Sequence, residues 1–197
     1  KCKVIYQSAQ PVILEPTNST DHFEVAVIGH LRTVKDPMRT ACAARLLPNH
    51  SKITIRHIGQ ILEDQYIAQV ETEMQENPRY RWLGKQTHSE ALQQLAFSQL
   101  FVLTSIQEGA PGVISEAIVN DVPIVASKIE ATIGLLGDDY PGFFEVGNTR
   151  QLAELLWAAE TDGVWMDSLR ATMAQRKPLF LPATEKNALK TLLAETF

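Results

Sequence analysis

Cysteine is scarce in this chain, because the 197 residues include only Cys2 and Cys42. Two unpatterned cysteines indicate neither a disulfide framework nor a zinc site, so we interpret them as reduced thiols and expect a cytoplasmic protein. The five histidines lack the i, i+4 pairing and the carboxylate spacing that are typical of metal sites. We therefore expect no metal ligands.

Long apolar runs and an excess of basic charge are also missing. No segment approaches about 18 consecutive apolar residues, and no charged-then-apolar leader precedes the first strand, so we expect neither a membrane span nor a signal peptide. Peripheral membrane contact stays open. The 18 basic and 23 acidic residues give a net charge of −5, which argues against a nucleic-acid surface and favours a small molecule as the partner.

The first 22 residues have the composition of a domain end followed by a linker. The chain begins with Lys1 rather than methionine, Val4–Tyr6 predicts a short strand, and residues 15–22 are rich in polar turn formers. We interpret residues 1–22 as the end of a missing N-terminal domain and its linker. Residues 23–197 are interpreted as one domain, in which residues 164–197 form C-terminal helices.

From Phe23 onward, short β-branched runs alternate with amphipathic segments, which predicts an α/β fold with a Rossmann-like, doubly wound parallel sheet. The predicted strands are Glu24–Gly29, Ile53–Ile58, Tyr80–Leu83, Leu100–Thr104, Pro123–Ala126 and Phe143–Val146. The predicted helices are Asp36–Leu47, Leu62–Gln75, one after a capping box at Thr87 and Glu90, one from Asn148 or Thr149 to Ala159, Val164–Lys177 and Thr184–Glu195. Asp36 is the expected N-cap of the first helix, with Pro37 at its first position.

Two glutamates lie eight positions apart in the segment EGAPGVISE, from Glu108 to Glu116, where an apolar strand gives way to a helix. This junction is where open α/β sheets hold nucleotides. Gly109 and Gly112 allow the backbone to approach a ligand closely, and the helix N-terminus offers N–H groups to an anion. The segment therefore predicts a binding site for a nucleotide.

The loop after the first strand, from Gly29 to Pro37, is the second candidate segment. In a doubly wound sheet it faces the same carboxyl edge as Glu108, and Lys35 in this loop can reach a phosphate. A developing diphosphate charge is stabilised by cations and amide dipoles, so a lysine at this edge suits phosphate release.

The two glutamates, followed by a buried strand that ends in Ala126-Ser127, resemble the signature of the retaining, nucleotide-sugar-dependent glycosyltransferases of GT-B fold. The resemblance implies the C-terminal, donor-binding half of such an enzyme, with a nucleotide sugar as substrate, most simply a UDP-sugar, and no cofactor. It implies that Glu108 lies near the transferred sugar, that Glu116 binds the ribose hydroxyls, and that Lys35 grips the diphosphate. It also implies that the missing N-terminal domain is a partner and that this fragment alone is inactive.

Two departures from the family pattern affect the expected site. His30 stands where the family has an arginine after Gly29, and Arg32, two residues on in an extended loop, can supply the guanidinium instead. Ala110 and Pro111 replace an aromatic residue and a glycine, and proline donates no N–H. A backbone contact to phosphate or sugar must therefore come from the amide of Gly112, Val113 or Ile114.

Three further readings stay open. The loop from Gly29 to Pro37 and the segment from Leu135 to Gly147 also resemble selenosugar synthases, which implies UDP-N-acetylglucosamine and selenophosphate as substrates. A non-catalytic nucleotide-binding or interaction module would use the glutamates only as helix caps. A Rossmann oxidoreductase is less favoured, because no Gly-x-Gly-x-x-Gly follows the first strand.

Two apolar features are assigned to the core. The leucines of the last helix, Leu189, Leu192 and Leu193, form one stripe that we expect to pack on this domain. The alternative is a helix that crosses to the missing domain. Trp82 lies beside the expected base site, and we assign it to the core.

Overall fold

The computed structural model describes residues 4–12 and 21–196. The predicted strand at Val4–Tyr6 is wrong, because these residues have no regular secondary structure, and the Tyr6 ring packs edge-on against Phe180. Most of the predicted linker lies outside the described residues. The boundary at residue 22 therefore stays a prediction.

The predicted fold class is confirmed. Six strands form one parallel sheet in the order β3-β2-β1-β4-β5-β6, which is the doubly wound arrangement. The strands are β1 (Phe23–Ile28), β2 (Ile53–Ile58), β3 (Tyr80–Trp82), β4 (Leu100–Leu103), β5 (Ile124–Ser127) and β6 (Phe143–Phe144). All residues of β4 and β5 are buried, as expected for central strands that are covered by helices on both faces.

Eight helices are found in the described part of the chain. They are α1 (Arg39–Ala44), α2 (Gln65–Glu76), α3 (His88–Phe97), α4 (Gly112–Val119), α5 (Glu130–Leu136), α6 (Thr149–Thr161), α7 (Gly163–Arg176) and α8 (Pro182–Thr196). Two 3-10 turns occur at Thr33–Lys35 and Lys177–Phe180. The predicted capping box at Thr87 and Glu90 and the predicted cap at Asn148 are both confirmed.

The predicted start of the first helix is wrong. Asp36 ends the preceding 3-10 turn in the left-handed region, with φ 45° and ψ 56°, and α1 begins only at Arg39. The Thr104 hydroxyl lies 2.9 Å from the Lys35 carbonyl oxygen and 3.0 Å from that of Asp36. Because this tertiary contact fixes the turn, Asp36 cannot act as an N-cap. Its carboxylate instead accepts a 2.7 Å hydrogen bond from Arg39 Nε.

Sequence analysis missed α5, and it found the last helix but not the packing of its leucines. A threonine starts α5: Thr132 Oγ1 accepts from Ile129 N at 3.1 Å and donates to Ser127 O at 2.7 Å. The α8 leucines do not pack on this domain's core as expected. Their exposed fractions are 46% for Leu189, 36% for Leu192 and 58% for Leu193.

Among the described residues, no helix has both the length and the hydropathy needed to cross a membrane.

Candidate functional site

The sheet reverses its winding direction between β1 and β4, and a crevice opens there. These two strands pair only at Val25 with Leu100 and at Ala26 with Phe101, so they separate toward their carboxyl ends. In open α/β sheets, this switch point is where ligands bind. The two predicted segments, after β1 and after β4, form the two walls of the crevice.

Contacts between the two loops hold the walls together. Ile106 N donates to Val34 O at 2.9 Å, and the Thr104 hydroxyl contacts the carbonyl oxygens at the end of the 3-10 turn. The loop after β1 is therefore a fixed platform. Lys35 is its last 3-10 residue and lies beside the loop after β4.

Lys35 and Glu108, predicted from separate segments, meet in an ion pair between Nζ and Oε1. Ser105 Oγ donates to the same carboxylate oxygen at 2.6 Å. The exposed side-chain fractions are only 20% for Lys35 and 10% for Glu108. A cation and an anion are thus held together at the crevice, partly shielded from water, where a bound phosphate would compete for the lysine.

Four of the predicted site residues line one cleft of about 250 Å³: Gly29, His30, Arg32 and Lys35. The opposite wall contains Lys85, Gln86 and Ala91, which follow β3 or begin α3. Three cationic side chains therefore surround this cleft, which suits an anionic ligand. Lys85 and Gln86 were not predicted as site residues, although the loop that holds them was expected beside the base.

His30 and Arg32, the two candidates for the arginine position of the family pattern, have different surroundings in the loop. The ring of His30 is engaged by the neighbouring loop, since its Nδ1 accepts from Gln60 N at 3.1 Å. Arg32 is extended, with φ −150° and ψ 154°, and it is exposed on the cleft. The guanidinium of Arg32 therefore lies on the cleft, while the ring of His30 keeps Nε2 as its donor.

Glu116 lies one turn inside α4, as predicted, but it does not line the cleft of Lys35. Its Oε1 is 2.8 Å from Nε2 of His88, the first residue of α3. His88 and Ala91 are three residues apart and share a helix face, and Ala91 lines the cleft. This contact thus places Glu116 beside the cleft wall. No sequence spacing identified His88.

The glycines of the glutamate segment lie elsewhere. Gly109 and Gly112 line a separate cavity of about 310 Å³, together with Tyr6, Gln7 and residues of α5. The amides of Gly112 and Val113 begin α4 and have no acceptor within that helix. The amide of Ile114, the third of the alternatives, donates to Pro111 O at 3.0 Å, which leaves the amides of Gly112 and Val113 for a ligand.

A relay of hydrogen bonds behind Glu108 was also missed. Ser105 Oγ donates to Glu108, Ser127 Oγ donates to Ser105 O at 2.6 Å, and Thr132 Oγ1 donates to Ser127 O at 2.7 Å. The sequence signals that could have revealed this relay were the hydroxyl residues Ser105, which follows β4, and Ser127, which ends β5. Trp82 belongs to the structural framework, because its Nε1 donates to Gly59 O at 2.9 Å.

Within residues 4–12 and 21–196, no three histidine, cysteine, aspartate or glutamate side chains lie close enough to hold a metal ion. The recognisable chemistry of the site is therefore cationic and carboxylate. It can bind an anion and a hydroxyl-bearing ligand at a switch point.

These features define a doubly wound α/β domain with a cation-lined crevice, and comparisons with known proteins specify it further. The sequence profile of the family "Glycosyl transferases group 1" matches residues 12–178, and the chain belongs to this family. None of the curated proteins matches its sequence.

Solved structures show the same fold at low sequence identity. Anabaena HepE in complex with UDP and glucose has a TM-score of 0.77 and 22% identity, over 89% of this chain and 49% of its own. A UDP-forming trehalose-phosphate synthase from Burkholderia xenovorans gives 0.71 and 16%, over 87% and 44%. The lipopolysaccharide outer core galactosyltransferase WaaB gives 0.73 and 15%, over 98% and 55%. The chain therefore has the fold of one half of a GT-B glycosyltransferase and spans about half the length of these structures.

Proposed function

We propose that this chain is the donor-binding domain of a retaining glycosyltransferase that transfers a sugar from a nucleotide diphosphate sugar, a UDP-sugar, to an acceptor. The Lys35–Glu108 ion pair at the switch point carries the proposal. It joins a cation and a carboxylate beside a cleft that Arg32 and Lys85 also line.

Cleavage of a sugar–phosphate bond leaves a diphosphate whose charge develops in the transition state. Fixed cations at that position lower the barrier without reorganisation. Lys35 is held by the loop contacts described above, and Arg32 lies on the same cleft. We assign both to the diphosphate, with Lys35 passing from Glu108 to the phosphate when the donor binds.

The two glutamates have different roles in this proposal. Glu108 accepts a hydrogen bond from Ser105 and pairs with Lys35, which we assign to the diphosphate, so we assign Glu108 to the transferred sugar beside it. A carboxylate accepts two hydrogen bonds at once, which suits the vicinal hydroxyls of a ribose, and we assign Glu116 to them. His88 then holds one oxygen of Glu116 and fixes its direction.

UDP as the nucleotide is supported by HepE, whose structure contains UDP and glucose. The expected absence of a metal requirement follows from the cations of the cleft, which can neutralise the diphosphate directly. A reducing compartment, the cytoplasm, fits a sequence with only two cysteines, which form no disulfide pattern. We expect this chain to bind nucleotide without turnover, because acceptor contacts would come largely from the missing domain.

The test is isothermal titration of the chain with UDP, with and without EDTA. Lys35→Met should raise the Kd for UDP about ten- to a hundredfold, because a charge-assisted hydrogen bond contributes roughly 1.5–3 kcal/mol. Lys52→Met is the matched control. Lys52 is exposed and directly precedes β2, so it lies at the amino ends of the strands, whereas the cleft lies at their carboxyl ends. No binding of UDP at millimolar concentration would contradict the proposal. An equal increase of the Kd in both variants would contradict it as well.

The ribose assignment has its own test. Glu116→Gln keeps the shape of the side chain and removes its charge, so UDP should bind about tenfold more weakly. The same substitution should change the Kd for 2′-deoxy-UDP much less, because that ligand lacks one hydroxyl of the diol. An equal effect on both nucleotides would remove Glu116 from the ribose site.

Two alternative functions remain as proposals. The narrower one is a selenosugar synthase, which the sequence from Gly29 to Pro37 resembles. The longer protein would then release UDP from UDP-N-acetylglucosamine in the presence of selenophosphate. No UDP release discards that alternative. A non-catalytic module predicts that Lys35→Ala and Glu108→Ala leave the function of the longer protein intact.

A further inference from the structure

The ladder between β1 and β2 continues past the strand ends but lacks one backbone bond. Gly29 N donates to Ile58 O at 2.9 Å, and Leu31 N donates to Gln60 O at 2.9 Å. The parallel pattern would place a bond from Gln60 N to Gly29 O between these two. Gln60 N instead donates to Nδ1 of His30 at 3.1 Å.

The carbonyl oxygen of Gly29 has a second histidine as its partner. His57 on β2 is buried, and its Nε2 lies 3.2 Å from Gly29 O. A carbonyl can only accept, so Nε2 carries the proton, and Nδ1 must then accept from the Tyr80 hydroxyl at 2.9 Å. Two histidine side chains have thus replaced one bond of the ladder.

We propose that His57 is a positioning residue for the diphosphate: by holding Gly29 O it orients the Gly29–His30 peptide so that the His30 N–H donates into the crevice. This proposal rests on the function proposed above and deepens it. It assigns the His30 contribution to the backbone amide rather than to the imidazole ring.

The direction of the His30 amide follows from the peptide that joins it to Gly29. The Gly29 carbonyl points toward His57 on β2, and the C=O and N–H of a trans peptide point in opposite directions, so the His30 N–H faces away from β2, toward β4. β1 and β4 are no longer paired at this level, and Gly29, His30 and Lys35 all line the cleft of about 250 Å³ described above. The amide and the lysine therefore converge on one anion.

Close packing leaves this peptide little freedom. A Cβ built on Gly59 would lie 2.0 Å from Gly29 O, so only glycine permits the approach of the two loops. Burial lowers the pKa of His57 to about 4, which keeps the ring neutral and the Nε2–H tautomer intact at physiological pH. The Tyr80 hydroxyl remains protonated as a donor, because burial raises its pKa above the ordinary value.

The experiment compares UDP with uridine, which lacks the diphosphate. His57→Leu preserves much of the side-chain volume and removes both hydrogen bonds, so the Kd for UDP should rise about two- to tenfold while that for uridine stays within twofold. His57→Gln restores an N–H near the Nε2 position and should recover most of the affinity for UDP. His50→Leu is the matched control, since His50 contacts Trp157 away from the cleft.

A ring-¹⁵N NMR spectrum supplies a readout that packing alone would not move. His57 should show the Nε2–H tautomer between pH 7.5 and 5.5, and the His30 amide resonance should shift in His57→Leu. Should His57→Leu fail to fold, Tyr80→Phe keeps the aromatic ring and frees Nδ1. It should mix the tautomers and weaken UDP but not uridine.

Equal weakening of UDP and uridine, no recovery in His57→Gln, or an Nδ1–H tautomer would overturn the inference. If the unsubstituted chain binds no UDP, the proposed function fails with the diphosphate role. The NMR measurements of the His57 tautomer and of the His30 amide resonance then still test whether His57 orients the Gly29–His30 peptide.

Discussion

At the scale of single residues, the burial of His57 makes the stability of the domain depend on pH. Its ring contacts the Tyr80 hydroxyl and the Gly29 carbonyl, neither of which is charged at neutral pH, and burial lowers its pKa from 6.5 to about 4. The unfolded chain gains a proton on this ring below pH 6.5, whereas the folded chain gains it only near pH 4. The contribution of the neutral His57 ring to the free energy of unfolding is therefore fully present above pH 6.5. It is lost as the pH falls toward 4.

The size of the loss can be predicted. Between pH 7.5 and pH 5, His57 should remove about 2 kcal/mol from the free energy of unfolding. Urea unfolding at both pH values measures this, and His57→Gln provides the reference because it lacks the titrating group but retains the other ionisable residues. A loss that is the same in both proteins would show that the ring titrates normally in the folded state.

The same residues show how far sequence reasoning reaches. Lys35 and Glu108 were assigned to one edge of the sheet because parallel strands end together, and they form an ion pair. The contact between His88 and Glu116 was not predictable, since it depends on how α3 and α4 pack. The sequence left open whether His30 or Arg32 takes the arginine position, and it gave no sign that the Gln60 amide would donate to the His30 ring.

At the scale of elements, α5 couples the relay behind Glu108 to helix formation. Its start depends on one hydroxyl, because Thr132 Oγ1 bonds to the amide of Ile129 and to the carbonyl of Ser127. Thr132 is fully buried. Ile129 N and Ser127 O also bond to each other at 3.1 Å, so loss of the hydroxyl removes one of two hydrogen bonds from each of these backbone groups.

We expect Thr132→Val, which is nearly isosteric, to lower the free energy of unfolding by about 1–3 kcal/mol. Urea denaturation measures this loss. Thr191→Val is the matched control in α8, where an exposed hydroxyl donates only to Asn187 O within its own helix, and its effect should stay within about 0.5 kcal/mol. Equal stability of the two variants would mean that water replaces the Thr132 contacts and that α5 needs no side-chain cap.

Element prediction succeeded where local chemistry decides and failed where tertiary contacts decide. The capping box at Thr87 and the apolar strands β4 and β5 are set by their own sequences, and both were found as predicted. Asp36 has the local chemistry of an N-cap, but the Thr104 contact holds it in a left-handed turn. α5 lacked an acidic or hydroxyl residue at its N-cap position, so no local signal marked its start.

At the scale of the whole molecule, the two ends of the described chain lie against each other. Ser8 Oγ donates to Glu185 Oε2 at 2.5 Å, and Ala9 N donates to Phe180 O at 3.0 Å, so the segment before the sheet contacts the start of α8. The polar start of α8 is thus attached to the domain, while its leucines are exposed. In the longer protein that we propose, these leucines face the missing domain.

This arrangement predicts which leucines matter for the stability of the chain alone. The double variant Leu189→Gln/Leu193→Gln should change the free energy of unfolding by less than about 0.5 kcal/mol, because exposed side chains bury little area on folding. Leu152→Ala in α6 is the contrasting variant: Leu152 is fully buried, and its loss should cost about 2–5 kcal/mol. Urea denaturation measures both. A loss above about 2 kcal/mol in the double variant would show that α8 packs its leucines on this domain in solution, as the sequence pattern first suggested.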